Sequence, residues 1–321
     1  MRIVFMGTPE YVIAPCEALH KDPRWDLIAV LTPPARSKGR SKKLVDPPLA
    51  RWAKEQDLLC LQPARLAGCK ELAQLATLSC DLIVTAAYGQ ILDQECLSLP
   101  LFGVINIHPS KLPLYRGATP VQEAILQGDR STAVSILHTT LQLDSGPVII
   151  TKDITIKDHQ RADALLALLF NLSAPLLLKA CQMIAENPNN PIGIPQDEQK
   201  ASYCGKLNKQ MGWLDFSSSA KDLYRRYRAF YPWPGSYTFL CKKRVIIEDM
   251  KPLASSHLKP FELAYNASTH VLCVGTRCND LALISLKSEG KPSQSGQTYW
   301  HGLAHLHQKD HSLFFDTSPC R

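Results

Sequence analysis

The chain has 321 residues, 45% of them hydrophobic and 20% charged, with a formal net charge of +7. That length fits two domains at about 100–200 residues each, and the composition is ordinary for a globular protein with a substantial core. No run approaches the ~18 uncharged apolar residues of a spanning helix, and the N-terminus lacks a signal peptide's basic leader and cleavage site, so a cytoplasmic protein is expected.

The charge is unevenly spread. Residues 1–200 carry 20 basic and 20 acidic side chains, whereas residues 201–321 carry 16 basic and 9 acidic. A neutral first part joined to a basic second part suggests a small-molecule site beside a polyanion-binding surface; a solvated basic face with no partner is the plainer alternative. The eleven cysteines are odd in number and scattered, which argues against a disulfide framework. Cys273 and Cys278 lack partners at metal-ligand spacing, so reduced structural thiols and no metal are predicted.

In chain order, Arg2–Met6 is an apolar strand, Gly7–Thr8–Pro9 a turn, Ala14 to His20 a helix and Leu27–Leu31 a second strand. Strands alternating with helices predict a parallel sheet with helices on its faces, a Rossmann-like α/β domain. Gly7 stands alone, so the G-x-G-x-x-G of a nicotinamide site is missing. The segment Thr32 to Val45 is a long loop bearing Arg36, Lys38, Arg40, Lys42 and Lys43, and loops of that length are usually functional or disordered. Helices are expected over Pro48 to Glu55 and Ala64 to Leu75, with a strand at Leu58–Leu61 between them. Asp81 to Ala87 is a near-continuous apolar strand of the buried parallel type. It ends at the turn Tyr88–Gly89–Gln90–Ile91–Leu92, where ligands of open α/β sheets lie, beyond the carboxyl ends of the strands.

The stretch from Gly103 to Pro147 carries the chemistry. A strand through Val104 and Ile105 continues into Asn106, Ile107, His108 and Pro109. Alternation along a strand puts Asn106 and His108 on one face, roughly 6–7 Å apart, and Pro109 ends the ladder. A Pro- and Gly-rich loop follows, then a helical segment from Val121, a strand at Ala133–Leu137, and Leu143–Asp144–Ser145–Gly146–Pro147. Singly, Asn106 suits a cap, His108 a structural hydrogen bond and Asp144 a turn. Together, an amide donor, an imidazole and a carboxylate at strand ends make an acyl-transfer site.

The string from Asn106 to Gln122, NIHPSKLPLYRGATPVQ, with Leu143-Asp144-Ser145-Gly146-Pro147 downstream, resembles the folate-dependent formyltransferases. Arg2 to Glu10, the basic loop Gly39 to Leu44, and Ala229-Phe230-Tyr231-Pro232-Trp233-Pro234-Gly235 extend the resemblance to about residue 250. It is most specific to the branch that formylates methionyl-initiator-tRNA. The resemblance implies a formyltransferase domain over 1–189, a linker over 190–205, and a basic OB-like β-barrel over 206–321 that binds tRNA. It implies 10-formyltetrahydrofolate as formyl donor, held at Tyr88, Gly89, Ile91 and Leu92 and bordered by Ser110, Lys111, Leu112 and Pro113. Lys111 stands where the family usually has Leu, and Ser41 where it has Gly. Arg40, Lys42 and Lys43 fall on the loop that meets the tRNA acceptor stem.

Beyond that, Arg161 to Ile184 has a helical apolar pattern, and Ala185 to Ala201 is the best linker candidate. Lys206, Lys209, Lys221, Arg225 and Arg228 supply basic charge for RNA, the last three sharing one face of a helix. Short runs at Tyr237–Leu240, Val245–Ile247, Val271–Val274 and Leu281–Leu286 suggest the barrel. His301, His305, His307 and His311 are read as a solvated end. Attack of an amine on a formyl carbon gives a tetrahedral oxyanion, where one preorganised donor is typically worth about 3–4 kcal/mol. Asn106 is expected to supply that donor, with His108 beside it. His108 and Asp144, through a water, are expected to move protons, a contribution of about 100- to 10,000-fold. A monomer suffices. The alternatives are transfer to a ribotide or nucleotide sugar, folate hydrolysis, or an inactive RNA-binding protein.

Overall fold

The computed structural model describes residues 1–38, 43–66, 68–255, 257–303 and 313–319. The chain forms two units. The first comprises Met1–Val121, Arg130–Ile156 and Ala164–Gly205; the second comprises Gln122–Asp129, Lys157–Asp163 and the chain from Lys206 onward.

The first unit is built on seven strands: β1 (Arg2–Gly7), β2 (Asp26–Leu31), β3 (Cys60–Leu61), β4 (Leu82–Ala86), β5 (Val104–His108), β6 (Ser131–His138) and β7 (Val148–Thr155). Their order is β7-β6-β5-β4-β1-β2-β3. The five strands from β3 to β5 run parallel, and β6 and β7 join antiparallel. The central strands are buried on both faces, with Ile3, Phe5, Val84 and Ile105 on one side and Val4, Met6 and Ile83 on the other all at 0% exposure. Such two-sided burial explains why these strands read as continuous apolar runs. The strand order reverses between the parallel neighbours β1 and β4, which places a crevice at their carboxyl ends.

Several boundaries differ from the sequence reading. Helix Lys70–Thr77 begins later than expected, after Gly68 at φ +64, with the Cys69 thiol accepting from the Leu72 amide as cap. The strand expected at Leu58–Leu61 is only Cys60–Leu61. Strand β7 was not foreseen; it is an edge strand whose Thr151, Lys152 and Asp153 are exposed, so it shows no apolar alternation. Helix Ala162–Glu186 is long and apolar enough to cross a membrane by length and composition, which corrects the expectation that no such run exists. Here it buries Leu165, Leu169, Phe170, Leu177 and Cys181, and the Phe170 ring lies 4.7 Å from that of Tyr11. Fully burying such side chains contributes about 1.5–3 kcal/mol each.

The second unit is an antiparallel half-barrel. Its strands run Ser236–Leu240, Lys243–Pro252, Asp280–Ser288, Val271–Gly275, Glu262–Asn266 and Leu313–Phe314 in spatial order. The Asp316 amide donates to the Phe239 carbonyl at 2.8 Å, tying the chain after the last strand to the first. Phe216 stacks on Phe315 at 5.4 Å and meets Phe261 edge-on at 5.7 Å in the core. Helix Ala220–Ala229 starts at Ser219, whose hydroxyl accepts from the Asp222 amide at 3.1 Å.

Candidate active site

Strand β5 presents Asn106 half-buried and His108 buried on one face, as its alternation requires. Asn106 pairs in register with Thr85 of β4 and Leu137 of β6. The Thr85 hydroxyl donates to Asn106 Oδ1 at 2.9 Å, which turns the amide nitrogen outward. That nitrogen donates to Asp144 Oδ1 at 3.2 Å. Asp144 comes from the loop between β6 and β7, with backbone φ of +49. Its second oxygen, Oδ2, accepts the Gly117 amide at 2.9 Å and lies 3.6 Å from His108 Nδ1. The other ring nitrogen of His108, Nε2, lies 3.0 Å from the Tyr115 carbonyl. The structure thus brings together all three residues singled out from the sequence.

The electrostatics of the group follow from the inventory of donors and acceptors. A carboxylate can only accept, and Asp144 accepts from Asn106 and Gly117. The two nitrogens of His108 both face acceptors, Nε2 the Tyr115 carbonyl and Nδ1 the Asp144 carboxylate. At 3.6 Å the His108–Asp144 approach is too long for a direct hydrogen bond. His108 is 4% and Asp144 13% exposed at the side chain, so the group is shielded but reachable.

Beside it lies a cleft of about 580 Å³ lined by Thr8, Pro9, Tyr11, Pro33, Pro34, Arg36, Val45, Pro47, Ala64 and Ala87–Gln90. It sits at the carboxyl ends of β1 and β4, at the switch point, and its volume is in the ~300–1,000 Å³ range of cofactor sites. Thr8 Oγ1 donates to the Tyr88 carbonyl at 3.0 Å, joining the two walls. Asn106, His108 and Asp144 are not among its lining residues; they stand one strand over, with Thr85 two residues before Ala87 as the link.

The expected folate residues fall in two groups. Tyr88 and Gly89 line the cleft, while Ile91 projects outward at 91% exposure and Leu92 packs against the core. Ser110 is buried with its hydroxyl on the Leu114 carbonyl at 2.6 Å, and Lys111 reaches Asp153 at 3.0 Å. Leu112 and Pro113 share a cis peptide bond, and the Pro113 carbonyl accepts from the Ser202 amide at 3.2 Å. Ser110–Pro113 therefore shape the loop below His108 without lining the cleft.

Of the expected RNA contacts, Arg40 and Lys42 lie outside the described residues, as do His305, His307 and His311 of the tail. Lys43, Lys206, Lys209 and Lys221 are exposed. Arg225 lies over Gly128, where a Cβ would overlap its guanidinium, and pairs with Asp222 at 3.6 Å. Arg228 departs from the exposed basic face expected of it. It is 7% exposed, its Nη1 donates to the carbonyls of Lys157 and Gln160 at 3.4 and 3.3 Å, and it stacks over Tyr224. Burial lowers its pKa. Its neighbours Leu223 and Tyr227 face the core, and the helix turns Arg228 in with them.

Sequence reasoning gave no site role to Thr8 or Thr85, named Gln90 only as part of the turn Tyr88–Leu92, and read the segment 194–204 as linker. The Ile194–Val148 bridge, the Ser202 contacts with Tyr115 and Arg116, and the parallel pairing of Tyr203–Cys204 with Arg116–Gly117 lay this segment along the first unit. Arg116, 1% exposed, pairs with Glu198 at 2.7 Å, which holds the Glu198 carboxyl below its ordinary range.

Comparisons with known proteins agree with this architecture. A family model described as Formyl transferase matches residues 1–180, and one described as Formyl transferase, C-terminal domain, matches residues 206–304. A methionyl-tRNA formyltransferase of Dehalococcoides mccartyi (strain CBDB1) is 38% identical over 303 residues, covering 94% of this chain and 96% of that protein. Among solved structures, the sugar 3N-formyl transferase WlaRD, crystallised in the presence of dTDP and 5-N-formyl-THF, has a TM-score of 0.64 at 14% identity, covering 91% of this chain and 99% of that one. HypX from Aquifex aeolicus in complex with tetrahydrofolic acid has a TM-score of 0.62 at 17% identity over 96% of this chain, which spans only 48% of HypX. With a domain model over more than half its length and a relative 38% identical over 94% of it, the chain belongs to the formyl transferase family, in its methionyl-tRNA formyltransferase branch.

Proposed function

We propose that this protein transfers the formyl group of 10-formyltetrahydrofolate to the amino group of methionyl-tRNA, with the initiator tRNA as acceptor. The observation that carries the reading is the Asp144 carboxylate held between the Asn106 amide and the Gly117 amide, 3.6 Å from His108. The second hydrogen on Asn106 Nδ2 remains available to the formyl oxygen as negative charge develops there, and Thr85 prevents the amide from turning over. His108 and Asp144 take the proton from the attacking amine and return one to the folate nitrogen that leaves. Tyr88, Gly89 and the other cleft residues suit a flat heteroaromatic donor by size and by their main-chain groups. The exposed Lys43, Lys206, Lys209 and Lys221 would meet tRNA phosphates.

The test is formylation by the purified protein with 10-formyltetrahydrofolate and three acceptors: methionyl-initiator-tRNA, methionyl-elongator-tRNA and an amino-sugar nucleotide. Product on the initiator species alone, dependent on aminoacylation, is expected. Product on the amino-sugar nucleotide alone would replace the acceptor, and folate hydrolysis without any acceptor would replace the reaction.

A further inference from the structure

The loop that carries Asp144 is joined to the Arg116–Gly117 segment by a side chain that no motif singles out. Gln196 Nε2 donates to the Asp144 carbonyl at 2.8 Å and to the Gly146 carbonyl at 2.7 Å. Its Oε1 accepts from Arg116 Nε at 3.1 Å and Nη2 at 2.9 Å. A side-chain amide has two donor hydrogens and two acceptor lone pairs, and here all four are used. The remaining guanidinium capacity of Arg116 goes to Glu198 and to the Tyr203 hydroxyl.

These bonds close a ring. Gly117, the residue after Arg116, donates its amide to Asp144 Oδ2. The Asp144 carbonyl accepts from Gln196, and Gln196 accepts from the Arg116 side chain. The carboxylate and the main chain of Asp144 are thereby both referred to one dipeptide, Arg116–Gly117. Such fixing matters at Asp144, whose backbone sits in the left-handed region at φ +49, uncommon for a residue with a side chain. Two residues on, Gly146 runs so close to β6 that a Cβ there would overlap the His138 carbonyl oxygen.

We infer that Gln196 is a positioning residue for formyl transfer, its carboxamide setting where the Asp144 carboxylate stands against Asn106 and His108. The inference rests on the catalytic reading of Asp144 given above. It also gives the segment between the family's two domains a part in the chemistry.

Two roles for Gln196 make different predictions. If it only anchors its segment through Arg116, then Gln196→Glu keeps the shape and strengthens that pairing, and activity stays near wild type. If it positions Asp144, Gln196→Glu removes both donors and sets a carboxylate oxygen against two carbonyls, so activity falls. The experiment measures kcat and both KM values for wild type, Q196E, D144N and the double variant, below the melting temperature of each. Positioning predicts that kcat of Q196E falls on the order of 10- to 100-fold, the size of loss that about 1 Å of misplacement causes. Both KM values should stay within about 2-fold, and adding Q196E to D144N should cost less than about 2-fold more, since groups acting through one another are not additive. Wild-type kcat in Q196E, or an undiminished loss in the D144N background, overturns the inference while leaving the function intact. Wild-type turnover in D144N overturns the catalytic reading, and the inference with it. If Q196E does not fold, Gln196→Met, which lacks both donors at similar length, enters the same cycle with the same expectations.

Discussion

The amide nitrogen of Asn106 stands 3.2 Å from a carboxylate oxygen of Asp144, 38 residues further along the chain. One arrives on a parallel strand buried in the sheet, the other on a loop between two antiparallel strands. Their meeting depends on β5 and β6 being neighbours in the sheet, with Asn106 opposite Leu137.

The orientation of that amide is set from the next strand by Thr85, whose hydroxyl also reaches the Ile105 carbonyl at 3.2 Å. Thr85→Val keeps the shape and removes the donor. Losing one hydrogen bond of about 0.5–1.5 kcal/mol corresponds to a fall in kcat of about 2- to 10-fold, with the folate KM unchanged. Steady-state kinetics checks this, and an effect on KM alone would count against it.

Gly146→Ala places a methyl on the His138 carbonyl. Either the loop carrying Asp144 shifts or strand β6 does. Overpacking of this kind typically costs about 1–3 kcal/mol, so denaturant unfolding should show a lower midpoint. Activity per folded molecule should fall as well, because the displaced loop is the one bearing the carboxylate.

Two basic residues of one helix should behave oppositely. Lys221 is exposed, and Lys221→Ala should leave thermal stability unchanged while reducing the slope of log binding constant against log salt by about 1. Arg228 is buried on the carbonyls of Lys157 and Gln160. Arg228→Ala should lower stability by about 1–3 kcal/mol, the cost of leaving buried groups unsatisfied, with the salt slope preserved. Filter binding with tRNA at several salt concentrations, beside thermal melts, separates the two.

His138 makes a pH prediction. Burial lowers its pKa, opposed by its hydrogen bond to the Ile192 carbonyl at 2.9 Å. A depressed folded pKa means that below about pH 6.5 the unfolded chain binds the proton more readily. Stability is therefore full above that pH and declines as pH falls toward the folded value. His138→Gln, which keeps a donor for the carbonyl, should flatten this part of the profile in unfolding titrations from pH 8 to 5. An equally steep decline in the variant would assign it to another group.

Much of the first unit was legible because its signals are local. Buried parallel strands announce themselves as apolar runs, and Asn106, His108 and Pro109 fix a face and an end by alternation alone. Strand β7 was not legible, since an edge strand with Thr151, Lys152 and Asp153 outward has no distinctive pattern. Arg228 misled for a related reason. Helical spacing groups it with Lys221 and Arg225, but only packing decides which way that stripe turns. Gln196 was invisible because its four hydrogen bonds reach three residues 50 to 80 positions away in sequence, and because its own stretch, with its prolines, reads as a linker.

The central claim is that Asp144 acts in the transfer step and not in holding the donor. Single-turnover formylation by Asp144→Asn, with tetrahydrofolate binding titrated on the same preparation, tests it most directly. Folate affinity within about 2-fold of wild type is expected, with a transfer rate lower by about 100- to 10,000-fold, the range of a positioned acid–base group. Transfer at the wild-type rate, or a slow rate explained wholly by lost folate binding, would contradict it.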